Sequence, residues 1–434
     1  MSDSTITALH ARRVWDSRGR PTVEAEVRLA CGAMGRGIAP AGASRGSREA
    51  IDLRDGGERL GGLDVLQAIA NVNGPIAGHL CGRDAADQAG IDGAIEALDG
   101  TANRSRLGAN ATVAVSMAVA NAAAAADRVP LWQHLACGDV SLPLPEIQIV
   151  GGGAHAARCL DLQDIMVMPF GATSFAQAIE MCAEVYHAAG ALLAQSGRVA
   201  GVADEGGWWP RFDANEEALE LVVRAIETAG LRPGFDVAIS LDVAASELRA
   251  GAGYRFALDR QTLDREQLAS RLLAWIERFP IASIEDPFDQ DDEEGWIAFT
   301  RSAGSRIQII GDDFLVTRAD RVEAASRTAA CNAVLVKPNQ VGTLTAAHDA
   351  LRAARSAGFG SIVSARSGET EDVTIAHLAV GWNAGQIKVG SLARGERTAK
   401  WNELLRIEDA LGRTARFAGR SALPMYSACA SAEI

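Results

Sequence analysis

From Pro143 and Pro145 onward the chain alternates short apolar runs with amphipathic stretches, and that alternation is the signature of parallel βα units. Candidate strands fall at residues 165–168, 237–241, 282–284, 307–310, 333–336 and 361–363, and candidate helices at 215–229, 265–276, 344–357 and 373–380. The residue at the tip of each strand narrows the chemistry. Asp242 comes directly after Ile239-Ser240-Leu241, Glu285 after Ile281-Ala282-Ser283-Ile284, and Asp312 after Ile309-Ile310-Gly311. A parallel barrel gathers the carboxyl ends of its strands around one mouth, so three successive acids there share a rim. One such acid alone is more often a helix cap. Three in succession repel one another unless a cation binds, and Mg2+, a hard ion that prefers oxygen ligands, is the natural occupant.

The next apolar run, Ala333-Val334-Leu335-Val336, delivers Lys337 ahead of the polar turn Pro338-Asn339-Gln340. Lysine is scarce here: of 42 lysines and arginines, only Lys337, Lys388 and Lys400 are lysine. A guanidinium stays protonated at any working pH, whereas an ammonium in a dry, cation-rich pocket can lose its proton and act as a general base. Lys337 is therefore the candidate base.

The chain before Pro143 reads differently. Val23, Ala25, Val27 and Leu29 alternate with Glu24, Glu26 and Arg28, the period of a strand with one wet face, and Gly32 marks a turn into residues 33–39. Helical spacing takes over across residues 62–127. The organisation expected is an α+β domain over residues 1–135 and then a barrel domain over residues 136–434. A chain of 434 residues with 48% hydrophobic content can bury a core of that size. Its net charge of -13 argues against nucleic acid and anionic membrane as partners, so an anionic substrate needs a local positive site. The start, Met1 to Thr5, has no basic segment leading into an apolar one, and the seven scattered cysteines fit reduced thiols; both predict a cytoplasmic protein. The apolar stretch over residues 113–125 is too short to cross a bilayer and predicts a buried helix.

Nearly the whole chain resembles the enolases. The likeness is carried by Asp16-Ser17-Arg18-Gly19, Gly42-Ala43-Ser44, Leu107-Gly108-Ala109-Asn110-Ala111, Asp204-Glu205-Gly206-Gly207, Ser283-Ile284-Glu285-Asp286-Pro287, Gly311-Asp312-Asp313, Lys337-Pro338-Asn339-Gln340, Arg366-Ser367-Gly368-Glu369-Thr370 and Gln386-Ile387-Lys388. The resemblance implies a modified eight-stranded α/β barrel behind a small N-terminal α+β domain, a homodimer, and two Mg2+ ions per site. By matching positions it implies that Asp242, Glu285 and Asp312 hold the first metal and that Ser44, on a mobile loop, helps the second. Lys337 removes the proton from C2, Glu205 assists departure of the C3 hydroxyl, and Lys388 adds positive charge near the substrate carboxylate. Arg366 and Ser367 hold the phosphoryl group, and His155 faces the substrate. The pairing of a lysine base with Mg2+ in this superfamily is itself a general precedent.

Four positions depart from the family pattern. Ala365 stands where the family has a histidine before the phosphate-binding arginine and serine. Asp164 replaces a glutamate after Gln163, withdrawing a catalytic carboxylate by one methylene, and Arg45 comes after the loop serine where the family has a small hydroxyl residue, with Ala41 in place of a serine earlier. Trp208 and Trp209 come after the double glycine and predict either a reshaped pocket wall or packing. Loss of an imidazole makes room and a new guanidinium offers a bidentate partner for a further anionic group. The expectation is dehydration of a 2-phosphoglycerate-like acid bearing a larger phosphorus substituent, as in carboxyphosphonoenolpyruvate formation for phosphonate natural products. Ordinary enolase activity and a noncatalytic binding protein on the same fold are the alternatives.

Overall fold

The computed structural model describes residues 3–426. The first domain is built on an antiparallel sheet of three strands, Ile6–Trp15, Pro21–Leu29 and Met34–Ile38. Helix Ala109–Asp127 lies across it and is almost wholly buried. Small residues make that approach possible: a β-carbon at Gly35 or Gly37 would run into this helix's backbone between Ala114 and Ala122. The strand carrying Glu24 and Glu26 departs from the predicted wet face. Both acids are buried, because Arg12 reaches across to each of them and Arg28 (3.2 Å) and Arg36 (3.0 Å) also close over Glu26.

Eight strands close the barrel: Leu144–Gly151, Asp164–Met168, Ala238–Asp242, Ile281–Glu285, Gln308–Gly311, Ala333–Val336, Gly360–Ser364 and Gly385–Gly390, the last pairing back onto the first. All run parallel except the second, which is antiparallel to both neighbours. The reason is local. Only a loop links the first strand to the second, and without a crossover helix the chain can return only in the opposite direction. Two helices, Phe175–Gln195 and Glu216–Thr228, then precede the third strand, separated by a hairpin of Val199–Val202 and Trp208–Pro210.

The predicted helices appear as Glu216–Thr228, Arg265–Arg278, Leu344–Ser356 and Thr374–Gly381. Arg265–Arg278 starts where it does because Asp264 and Gln267 form a reciprocal capping box. Reversal of the second strand shapes the barrel mouth: its first residue, Asp164, pairs with Asp242 and so arrives at the same rim as the carboxyl ends of the parallel strands.

Candidate active site

The mouth encloses a cavity of about 20 Å³, room for a single water, because the loop Gly42-Ala43-Ser44 closes over it. His155, Asp164, Glu205, Asp242, Lys337 and Lys388 line it together with Ala365, Arg366 and Ser367. The fold thus brings together most residues singled out in the sequence. Glu285 and Asp312 stand just behind, tied in through the lysines.

Lys388 Nζ donates to Asp242 Oδ2 (2.9 Å) and Glu285 Oε2 (2.7 Å), and Lys337 Nζ donates to Asp312 Oδ2. Burial, with the neighbouring charges of Asp242 and Asp312, pushes the Glu285 carboxyl well above the ordinary range, against the pull of Lys388 and Lys337. Its Oε1 is buried without a partner among the described residues. Three carboxylates from adjacent strand tips, one raised by its neighbours and left with an orphaned oxygen, fit a hard divalent cation such as Mg2+. A tighter acidic group, Asp286, Asp312 and Asp313, has ligand atoms within 4.8 Å of one another. Asp286 has a different task there: its two oxygens accept the backbone N–H groups of Asp312 and Asp313 at 2.9 Å each and fix the turn that presents Asp312.

Burial disfavours the Lys337 ammonium, but Asp312 and then Glu285 outweigh burial, Arg366 and Lys388, and hold its pKa above the ordinary lysine value. The surroundings thus favour the charged form of Lys337, and the carboxylate that accepts from it is one of the three expected to hold metal.

His155 lies between two acids. Its Nδ1 is 3.1 Å from Asp164 Oδ1 and its Nε2 is 3.9 Å from Glu205 Oε1. Burial opposes a charged imidazole, yet Asp164 and Glu205 outweigh it and raise the pKa to about 9. In return the His155 charge leads Lys388 and a hydrogen bond from Gln148 in holding Asp164 below the ordinary carboxylate value despite burial. Asp164 and Glu205 therefore communicate through an imidazole.

At the opposite end Arg366 is held before any ligand arrives. Glu49 accepts its Nη1 at 2.9 Å and its Nη2 at 3.2 Å, and Ser44 O accepts Nη2 at 3.0 Å. Ser367 Oγ accepts the Ala43 N–H at 2.6 Å. A β-carbon at Gly42 would collide with the Arg366 guanidinium, so the loop can close this far only with glycine there. Arg45 does not take its expected place near the phosphoryl end. The loop turns its half-exposed side chain outward, 3.9 Å from Asp52, and it lines none of the cavity. Trp208 and Trp209 lie outside the cavity lining as well; Trp208 stacks on Tyr186 with ring centroids 5.0 Å apart and donates to Tyr186 O, which is packing.

Several residues escape a reading of the sequence. Glu49 gives no signal in its polar loop, and Glu146 and Gln148 interrupt the apolar run of the first barrel strand and so hide it. Arg397 and Lys400, from helix Gly395–Leu411, brace the Arg366–Thr370 segment from behind: Arg397 donates to the carbonyls of Arg366 and Ser367, and Lys400 to Thr370 O.

A capped α/β barrel whose mouth concentrates cations and carboxylates on one small buried space defines a class of proteins that act on small anions. The chain matches the enolase N-terminal domain over residues 6–135 and the enolase C-terminal TIM barrel domain over residues 139–425, and it belongs to the enolase family. That membership supports a Mg2+-dependent dehydratase as its general activity.

Proposed function

We propose that the protein is a hydro-lyase that removes water from a 2-phosphoglycerate-like acid whose phosphorus carries an additional acidic group, giving an enol phosphonate of the carboxyphosphonoenolpyruvate type. The observation that carries this reading is Ala365: it lines the cavity beside Arg366 and Ser367, where a larger side chain would fill it, and Lys337, Lys388, Asp242 and Glu205 line the same cavity. Arg366 and Ser367 hold the phosphorus oxygens once the Gly42–Ser44 loop gives up its hydrogen bonds to them. Lys337, on its strand tip, takes the proton from C2 once Asp312 no longer holds it as an ammonium and its own proton has been released. The C3–O bond then breaks, the electron pair of the C2–H bond forms the C2–C3 double bond, and Glu205, linked to Asp164 through His155, supplies the proton that lets hydroxide leave as water. Lys388 neutralises charge that gathers on the substrate carboxylate. Asp242, Glu285 and Asp312 would hold Mg2+, whose chemistry when bound would be further stabilisation of that charge.

Dehydration of 2-phosphoglycerate itself is a second reading, favoured by the intact set of Lys337, Lys388 and Glu205. Turnover of 2-phosphoglycerate and of its carboxyphosphonate analogue, each with and without Mg2+, separates the two. The analogue is expected to be preferred, and Ala365→His to shift the ratio towards 2-phosphoglycerate by about tenfold or more. Efficient turnover of 2-phosphoglycerate alone overturns the enlarged-substrate reading, and binding without turnover of either favours a noncatalytic protein.

A further inference from the structure

Glu146 is a buried acid for which the chemistry above has no use. It sits in the first barrel strand, paired in register with Lys388 of the last, so both side chains leave neighbouring strands at the same level. It is fully buried, its Oε2 accepts the Ser240 hydroxyl (3.0 Å), and its Oε1 has no partner among the described residues. The Lys388 ammonium meanwhile occupies Asp242 Oδ2 and Glu285 Oε2, oxygens from two of the three acids that would hold a divalent cation. Cation and ammonium compete for the same carboxylates. Asp164 offers Oδ2, 3.9 Å from Nζ and also without a hydrogen-bond partner among the described residues, but its Oδ1 already pairs with the His155 imidazole and Gln148. Two unsatisfied oxygens are thus left beside the displaced charge, and of the two acids Glu146, level with Lys388 on the adjoining strand, is the one that no histidine or other cation already pairs.

We propose that Glu146 is a positioning residue for Lys388, its carboxylate receiving the ammonium when a divalent cation takes Asp242 and Glu285. This rests on the reading of those two acids as metal ligands and is independent of which phosphorus compound is the substrate. Burial raises the Glu146 carboxyl to about 7 while Lys388 pulls it down, so an approaching ammonium finds a proton that is easily lost.

The test is calorimetric titration of the full chain with MgCl2 in four versions: parent, Glu146→Gln, Lys388→Met and the double variant. Glutamine keeps the Ser240 hydrogen bond and removes only the charge, and Glu146→Asp, which keeps the charge, checks the fold. Glu146→Gln is expected to weaken Mg2+ about tenfold in the parent and far less when Lys388 is methionine, with Glu146→Asp staying near the parent. The three lysines make a lysine-labelled NMR sample simple: Mg2+ is expected to move the Lys388 side-chain signal differently in the parent and in Glu146→Gln. An equal loss of affinity in both backgrounds, or no loss in either, overturns the role of Glu146. Absence of Mg2+ binding by the parent overturns the metal reading and this inference with it.

Discussion

Replacing Lys400 by methionine removes one charge from a fully buried ion pair. Lys400 is 0% exposed and Glu369 4% exposed; the ammonium donates to Thr370 O at 2.7 Å and lies 2.9 Å from Glu369 Oε2. The other oxygen of Glu369 accepts the Arg366 N–H at 2.9 Å. Methionine fills most of the space but leaves the carboxylate with a single neutral donor, and breaking a buried pair in this way costs about 3–5 kcal/mol. Adding Glu369→Met removes the stranded charge, so the double variant should recover more than half of that loss. Lys400→Arg keeps the charge but forces a guanidinium into a filled interior, at about 1–3 kcal/mol, which would explain why a chain so biased towards arginine retains lysine here. Urea unfolding monitored by tryptophan fluorescence and by far-UV circular dichroism reads all three. Because the pair anchors the segment bearing Arg366, Lys400→Met should also raise KM for a phosphorylated substrate more than it lowers kcat. A single variant within about 1 kcal/mol of the parent, or a double variant no more stable than the single, refutes the reasoning.

Two other perturbations act on the same charge network. His155 is raised from 6.5 to about 9, so its contribution is fully present below pH 6.5 and is lost as the pH rises through 9; it amounts to about 3 kcal/mol at most. The urea midpoint of His155→Asn should therefore fall less than that of the parent between pH 6.5 and 9.5, and parallel profiles would contradict the charged imidazole. Glu49→Gln leaves the buried Arg366 guanidinium without its counter-charge, so inorganic phosphate should raise the melting temperature of this variant more than that of the parent. Equal shifts would mean that Arg366 does not meet the anion.

Local patterns were legible and distant pairings were not. Asp242, Glu285 and Lys337 stood out because each ends a short apolar run, and the run and its tip are adjacent in sequence. The first and last barrel strands escaped because inward-facing Glu146, Gln148, Gln386 and Lys388 break their apolar character. No periodicity reveals that Glu49 meets Arg366 across 317 positions, or that His155 comes between Asp164 and Glu205. Nor does the sequence show that Lys337 donates to Asp312, 25 residues away, whose charge works against burial to favour the ammonium.

The two ends of the site differ in how freely they can change. At the carboxylate end the charged groups are tied in pairs: Lys388 to Asp242 and Glu285, and Lys337 to Asp312, which also accepts from Gln340 at 2.8 Å. Removing a charged member of that set strands its buried partner, which is among the costliest single changes a protein can suffer. Position 365 carries no such obligation. Its backbone N–H donates to Lys388 O at 2.9 Å whatever the side chain, and the residue lines the cavity without a charge of its own. A change of side chain there alters the space offered to the phosphorus substituent without touching a single ion pair. Divergence of substrate would begin at a position of this kind, where size changes without stranding a charge.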